Sequence, residues 1–260
     1  MSVEQKSFLK KLKREQFLIK LIQFGIFISF FILWELLARY RIINPFIFSS
    51  PSAIINTIGS LISQNNLFIH IATTLQEVII AFVLGVSLGF IIAIILYLSS
   101  FLAKILDPFL TMLNSLPKVA LGPILIIWLG ANTTTIIVMA LLINLIISIV
   151  TIYNGFLNTD PIRIKLLQTF RASKFQILTK VVIPGSYTTI ISSLKLTISM
   201  SLIGVIMGEF LVSKAGIGYL IIYGTQVFNL NLVMAGIIIL IVMSYLLYKI
   251  IIKIEQKLLK

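Results

Sequence analysis

The feature that most restricts the fold of this chain is a series of apolar runs long enough to cross a lipid bilayer. One run covers residues 21–38, and a helix of about 20 apolar residues spans the roughly 30 Å hydrocarbon layer. Of the 260 residues, 59% are hydrophobic and 11% are charged, whereas a soluble domain has about 25% charged residues. A water-soluble core cannot absorb this excess, so the sequence predicts an integral membrane protein.

The apolar runs have the character of helices. Pro and Gly occur inside several of them, unlike the alternating strands of about ten residues in membrane barrels, and a helix satisfies its own backbone hydrogen bonds in lipid. The third run is interrupted at Leu116-Pro117 and Gly122-Pro123, which predicts a kink or an unwound segment facing a pathway or the bundle interior. We predict an all-α integral membrane domain with six spans, at about residues 21–39, 72–98, 108–130, 134–153, 190–212 and 232–252.

The basic residues indicate the orientation of the chain. The formal net charge is +13, and six Lys or Arg residues lie within residues 1–20. With six crossings, 18 basic residues fall on one side of the membrane and three on the other, and the richer side is normally cytoplasmic. We therefore expect both termini in the cytoplasm, an uncleaved anchor in a bacterial-type inner membrane, and no nucleic-acid partner. Residues 1–20 would form a basic cytoplasmic segment, and residues 21–260 a single transmembrane domain.

The longest predicted cytoplasmic stretch, residues 154–189, is amphipathic. Asp160-Pro161 provides a helix start, and Pro184-Gly185 ends the pattern. Basic residues lie between apolar residues that recur at near-helical spacing: Ile162, Leu166, Leu167, Phe170, Phe175, Leu178 and Val182. The pattern predicts two helices joined by an elbow beneath the membrane. Amphipathicity alone also fits a helix pair lying on anionic lipid.

The order of residues within this stretch is more specific than its amphipathicity. Residues 166–184, LLQTFRASKFQILTKVVIP, resemble the cytoplasmic signature of permease subunits of binding-protein-dependent ATP-binding cassette (ABC) importers. Four other stretches resemble the branch associated with nitrate, aliphatic sulfonates, taurine and pyrimidine-type precursors: SSPSA at 49–53, LDP to LP at 106–117, IWLG at 127–130, and GEFL to GIGYLI at 208–221. The resemblance covers about residues 45–255 in a consistent order.

The resemblance implies a permease that passes a small organic solute or anion across the membrane while a separate subunit hydrolyses ATP. In such importers the elbow docks in a groove of the ATPase, and the residues expected to make this contact are Lys165, Phe170, Arg171, Ala172, Ser173, Lys174 and Phe175. The implied partners are two ABC ATPase subunits, a second permease copy or homologue, and an extracytoplasmic substrate-binding protein. The chain has no Gly-rich phosphate loop, so we expect it to bind no cofactor or metal and not to be an enzyme.

The sequence departs from the family pattern in the elbow and in the second span. Lys165-Leu166-Leu167 replaces a Glu-Ala-Ala triplet, and Arg171 occupies the position of the signature Gly. Gly permits a tight turn there that a side chain normally resists, so the geometry of the elbow is left open. Glu77 stands where this branch commonly has Arg, which predicts an altered charge pairing.

Polar residues inside the spans are candidates for the translocation pathway, because an ionised side chain costs about 2.5 kcal/mol or more at the bilayer centre. We assign three residues to the pathway: Asn144, Ser201 and Glu209. The alternative is bonding between helices and, for Glu209, an ion pair with Lys214. Glu77 is expected near a span end, within reach of solvent. His70 is the only histidine and is expected at the surface, since a metal site needs several ligands.

Three other classes of membrane protein fit the sequence less well. An ion-coupled secondary transporter needs acidic groups deep in the membrane and often has internal repeats, and neither a deep acidic pair nor a repeat is evident. An intramembrane enzyme of the protease type needs histidines at membrane depth, and one histidine at a loop-to-span junction cannot form its site. A non-catalytic scaffold remains open, but it would not require the ordered elbow sequence.

Overall fold

The computed structural model describes residues 3–64 and 66–258, and the regular secondary structure in these ranges is helical. In chain order the helices are α1 (Val3–Arg39), α2 (Pro45–Phe48), α3 (Pro51–Ser63), α4 (Asn66–Leu98), α5 (Ser100–Ser115), α6 (Gly122–Leu129), α7 (Thr133–Leu157), α8 (Pro161–Thr169), α9 (Lys174–Ile177), α10 (Ile183–Gly185), α11 (Tyr187–Val212), α12 (Ile217–Gln226) and α13 (Leu230–Leu258). Among the described residues, five helices are long and apolar enough to cross a membrane, and a bent pair makes a sixth if it is counted as one span. The all-α membrane fold is confirmed.

The third span is broken where the sequence predicts a break. α5 and the segment 118–129, which consists of a 3-10 turn (Lys118–Leu121) followed by α6, meet at an angle of 87°. The break lies at Pro117, which has no backbone N–H to continue α5. Pro123 occupies the first turn of α6, where a missing N–H has no consequence.

Besides α1, which begins at Val3 instead of residue 21, two helices begin clearly earlier than the apolar pattern predicts. α5 begins at Ser100 instead of residue 108, because Ser99 caps it by accepting a hydrogen bond from the backbone N–H of Leu102 at 3.3 Å. Pro108 lies inside this helix. α4 begins at Asn66 instead of residue 72, so the helix continues beyond the apolar run. Residues just after position 72 therefore lie about two turns from the start of the helix and not at its first turn.

Helices α4, α7 and α11 form the centre of the bundle, with α7 between the other two. Glycines on α4 and α11 let the backbones approach α7 closely. A Cβ atom added to Gly89 would lie 2.7 Å from Ser148 Cβ, and one added to Gly204 would lie 2.5 Å from Ala140 Cα. Any side chain at either position would push the helices apart.

The edge of the bundle is looser on the side of α1, whose membrane-spanning part is exposed along its length. Near its C-terminal end, Glu35 accepts hydrogen bonds from N and Oγ of Ser52 at 3.0 and 2.9 Å. These bonds tie α1 to the start of α3, where Ser50 Oγ accepts a hydrogen bond from the N–H of Ala53 at 3.2 Å. On the other side, α12 and α13 pack together and against α11.

Candidate functional site

The predicted elbow is present, and α8 is its first arm. Asp160 precedes this helix and accepts a hydrogen bond from the backbone N–H of Ile162 at 2.8 Å, while Pro161 occupies the first turn. Arg163 Nε lies 3.5 Å from Asp160 Oδ2, and a pair this exposed contributes at most about 1 kcal/mol. The start of the elbow is therefore set by local residues, as the sequence predicts.

The bend after α8 is a left-handed turn at Arg171, which has a φ of 57°. The N–H of Arg171 donates to the carbonyl oxygen of Gln168 at 2.9 Å, and the N–H of Ala172 donates to that of Leu167 at 3.1 Å. These two bonds form the Schellman pattern, which usually has Gly at the left-handed position. Arg171 thus adopts the conformation expected of Gly, at a cost of about 1–2 kcal/mol, and the elbow stays tight.

The second arm of the elbow begins with a capping box. Ser173 Oγ accepts a hydrogen bond from Gln176 N at 3.2 Å, and Gln176 Oε1 accepts one from Ser173 N at 2.7 Å. After this cap, α9 leads through a π turn (Leu178–Val182) and α10 into α11. Three apolar residues of this arm are buried against side chains of α4 and α7: Ile177, Leu178 and Val182. The second arm of the elbow is therefore packed directly against the C-terminal ends of α4 and α7.

The outer side of the elbow is exposed. Phe170 and Phe175 are 74% and 62% exposed. The polar and basic residues predicted to accompany them are exposed as well: Lys165, Arg171, Ser173 and Lys174. Ala172 differs, because it is half-buried and packs against the inner cluster. We call the six exposed residues the docking face; exposed aromatic side chains ringed by polar groups are typical of a protein interaction site.

Two of the residues assigned to the pathway lie inside the bundle. Asn144 Nδ2 donates to the carbonyl oxygen of Ala81 at 2.9 Å and to Ser201 Oγ at 2.6 Å, and Ser201 Oγ donates to the carbonyl oxygen of Thr197 at 2.7 Å. Asn144 and Ser201 are both 0% exposed. Their hydrogen bonds join α4, α7 and α11. In this conformation the two residues therefore bond between helices, which was the alternative to lining a pathway. A pathway role for them stays a prediction.

Glu209, the third residue assigned to the pathway, is also fully buried. Its Oε1 accepts a hydrogen bond from Thr74 Oγ1 at 2.6 Å, and its Oε2 accepts one from the N–H of Gly218 at 2.5 Å. Thr74 Oγ1 in turn accepts a hydrogen bond from the N–H of Ile217 at 2.8 Å. Glu209 therefore receives one donor directly from the N-terminus of α12 and a second from Thr74, which is itself held by that terminus, where negative charge is favoured. Glu209 does not form the alternative ion pair with Lys214, because Glu209 is buried and Lys214 is exposed.

His70 belongs to the same polar region. Its Nδ1 accepts a hydrogen bond from the N–H of Gly216 at 3.0 Å, and its ring stacks on that of Tyr219 at a centroid distance of 5.9 Å. Gly216 has a φ of 113°, a conformation that side chains rarely adopt. His70 is half-buried, so it is less exposed than the surface position expected from the sequence, and the glycine turn before α12 bonds to it.

Glu77 completes the region and was not found as part of it from the sequence. It is 1% exposed, its carboxyl group faces Glu209 and Thr133, and among the described residues neither of its oxygens has a hydrogen-bond partner. Glu77 lies 11 residues into α4, which is roughly 16 Å along the helix. The expectation that Glu77 lies within reach of solvent is therefore wrong, because both carboxyl groups are buried. The pair lies near the ends of spans, as expected for Glu77, since Thr133 is the first residue of α7 and Glu209 is in the last turn of α11. The signal available in the sequence was Thr74, one helical turn before Glu77, together with the Gly216-Ile217-Gly218 turn after Glu209.

Comparisons with known proteins agree with the fold. The family model of the binding-protein-dependent transport system inner membrane component matches residues 85–260. A probable ABC transporter permease protein of Haemophilus influenzae is 31% identical, over 83% of this chain and 87% of its own length. A putative aliphatic sulfonates transport permease protein of Bacillus subtilis is 29% identical, over 88% of this chain and 83% of its own length.

Among solved structures, the MetNI methionine ABC transporter in inward-facing conformations contains a chain with the same fold. The TM-score is 0.66 at 17% sequence identity, with 74% of this chain and 95% of that chain covered. Members of this family span the inner membrane, work with an ATPase subunit and a substrate-binding protein, and are not themselves enzymes. The chain belongs to the family of binding-protein-dependent transport system inner membrane components and is the permease subunit of an ABC importer.

Proposed function

We propose that the docking face of the elbow transmits the conformational change of two ABC ATPase subunits to a pair of permeases, which imports a small organic solute or anion. ATP acts on the partner subunits, and this chain binds no cofactor. The second permease is a copy of this chain or a homologue. An extracytoplasmic binding protein delivers the substrate.

The substrate class is supported by the names of relatives. These proteins are named as transport permeases for aliphatic sulfonates, taurine and formylaminopyrimidine, at 23–29% identity. All three are small polar compounds, and two of the three are sulfonates. A small sulfonate-like anion, nitrate or a pyrimidine precursor is therefore the proposed substrate class, and riboflavin-like compounds stay open.

The single observation that carries the coupling role is the two-sided construction of the elbow. Its inner side is buried against α4 and α7 through Ile177, Leu178 and Val182, while its outer side exposes Phe170 and Phe175. Burying an aromatic side chain contributes about 1.5–3 kcal/mol, so a partner groove that covers both rings is strongly favoured. Rigid motion of the partner then moves the helices that the inner side contacts.

The orientation of the elbow is supported by charge. Residues 154–195 contain six Lys or Arg residues, and such a segment stays on the cytoplasmic side. With the bent pair counted as one span, the chain crosses the membrane six times. Both termini and the docking face are then cytoplasmic, where the ATPases are found.

For the pathway, Asn144, Ser201 and Glu209 can reach a solute only if α11 separates from α4 and α7 in another conformation. All three are 0% exposed in the described one. Their hydrogen bonds would then be exchanged for contacts to water or solute, a low-cost exchange. This proposal stands or falls separately from the docking face.

The coupling role is tested with the double variant Lys174→Glu/Phe175→Asp in the complex reconstituted with its ATPase and binding protein. Losing one buried Phe and adding repulsion weakens docking by at least about tenfold, so substrate-stimulated ATP hydrolysis falls to its basal rate. The matched control is Lys253→Glu/Ile254→Asp, an adjacent and exposed Lys–apolar pair at the end of α13. Membrane insertion stays intact in both. Normal stimulation in the elbow variant would overturn the coupling role.

A further inference from the structure

We propose that Glu77 and Glu209 form an internal site that holds one proton, so that the pair carries a single negative charge inside the bundle. The site joins α4, α11 and the start of α12. It is independent of the docking face, which lies at the opposite end of α4 and α11.

Glu209 is the acceptor of the pair. Its two oxygens receive hydrogen bonds from Thr74 Oγ1 and from the N–H of Gly218. Both donors are fixed, because Thr74 is held by the N–H of Ile217 and Gly218 lies in the first turn of the 10-residue helix α12. A carboxylate that receives such donors at a helix N-terminus is stabilised in its charged form.

Glu77 has the opposite environment. It is 1% exposed, and neither oxygen receives a hydrogen bond from the described residues. Thr74, one turn before Glu77 on the same face of α4, donates to Glu209, which brings the two carboxyl groups together. A second carboxylate there would be an unpaired buried charge repelled by Glu209, which costs several kcal/mol. A protonated Glu77 instead becomes a donor to Glu209. One proton therefore removes both the repulsion and the missing hydrogen bond.

No nearby basic group can neutralise the pair. On α4, His70 accepts a hydrogen bond from Gly216 through Nδ1. On the loop after α11, Lys214 is exposed. From α7, Thr133 faces Glu77 without a charge, and α12 offers Tyr219. The ion pairs found within the described part of the chain are Arg163–Asp160 and Lys195–Glu255, and neither reaches this site.

A metal cation fits the site less well than a proton. Among the described residues no group of three or more His, Cys, Asp or Glu side chains is arranged to hold a metal. The packing is also close, since a Cβ atom added to Gly218 would lie 2.7 Å from Glu209 Oε2, and one added to Gly216 would collide with the same carboxylate. A proton needs no added volume.

The test is infrared spectroscopy of the full-length protein in lipid bilayers at neutral pH, where exposed carboxyl groups are ionised. The wild type is expected to give the carbonyl-stretch band of a protonated carboxylic acid, and Glu77→Gln is expected to lose it. Glu35→Gln is the matched control, because Glu35 accepts two hydrogen bonds from Ser52 and shares no carboxyl partner; this variant keeps the band. Absence of the band in the wild type would overturn the proposal without any variant, and so would a band that persists in Glu77→Gln.

A second measurement separates a proton from a cation. Thermal unfolding of the wild type is compared in buffers containing Na⁺, K⁺ or choline as the only cation. A site that holds a proton gives the same midpoint in all three. A midpoint that rises with Na⁺ or K⁺ in the wild type, and no longer does so in Glu77→Gln, would assign the site to a metal cation and overturn the proposal.

Discussion

The elbow and the carboxyl pair each contain an unusual residue at a constrained position, and the two regions accommodate it in different ways. At the elbow, Arg171 takes up a left-handed turn that usually has Gly, because its side chain is exposed and the strain of about 1–2 kcal/mol is local. At the pair, Glu77 places a second acidic side chain against Glu209 inside the bundle. No neighbouring side chain compensates it. Backbone strain at the surface can be tolerated, whereas a buried charge must be neutralised.

The largest loss of stability is expected when the buried carboxyl group of Glu209 is removed. Glu209→Ala removes the acceptor of both Thr74 and Gly218. Each orphaned buried donor costs about 1–3 kcal/mol, so the free energy of unfolding falls by several kcal/mol. Thermal unfolding of the purified protein measures it. Glu209→Gln keeps an acceptor and is expected to lose much less; equal losses in the two variants would contradict the account.

A smaller effect is expected for Thr74→Val, which keeps the shape of the side chain. The hydroxyl donates to Glu209 and accepts from Ile217, so the variant leaves one buried acceptor and one buried donor without partners. The orphaned N–H of Ile217 costs about 1–3 kcal/mol. Glu209 keeps its hydrogen bond from Gly218, so the total loss is smaller than for Glu209→Ala. Thr73→Val is the control, because the hydroxyl of Thr73 only donates to the carbonyl oxygen of Ile69 within the same helix. Its midpoint is expected to stay close to that of the wild type.

The smallest change in stability is expected at the exposed elbow, where Arg171 adopts the left-handed turn. Arg171→Gly relieves the left-handed strain and is expected to stabilise the protein by up to about 1 kcal/mol, the remainder being offset by the greater freedom of Gly in the unfolded chain. Arg163→Gly, in the interior of α8, is the control and destabilises by about 0.5–1 kcal/mol. Both changes are measured as shifts of the unfolding midpoint. Destabilisation by Arg171→Gly would mean that the Arg side chain has a structural role that its exposure does not reveal.

Features with a local cause could be predicted from the sequence. The apolar runs fix the spans because lipid demands a minimum helix length, Pro117 fixes the break in the third span, and Asp160 and Ser173 fix the two arms of the elbow through their caps. The carboxyl pair has no local cause. Glu77 and Glu209 are 132 residues apart and meet only because glycines let α4 and α11 pack closely on α7. The polar turns at the start of α4 also hid the burial of Glu77.

The most direct test of the coupling role uses the absence of cysteine from the chain. A single variant, Phe175→Cys, is treated with a membrane-impermeant maleimide added to the cytoplasmic side, with and without the assembled ATPase. The account predicts rapid modification of the permease alone and strong protection in the complex, while Ile254→Cys reacts equally in both. Modification only from the outside, or equal modification of Phe175→Cys with and without the ATPase, would contradict it.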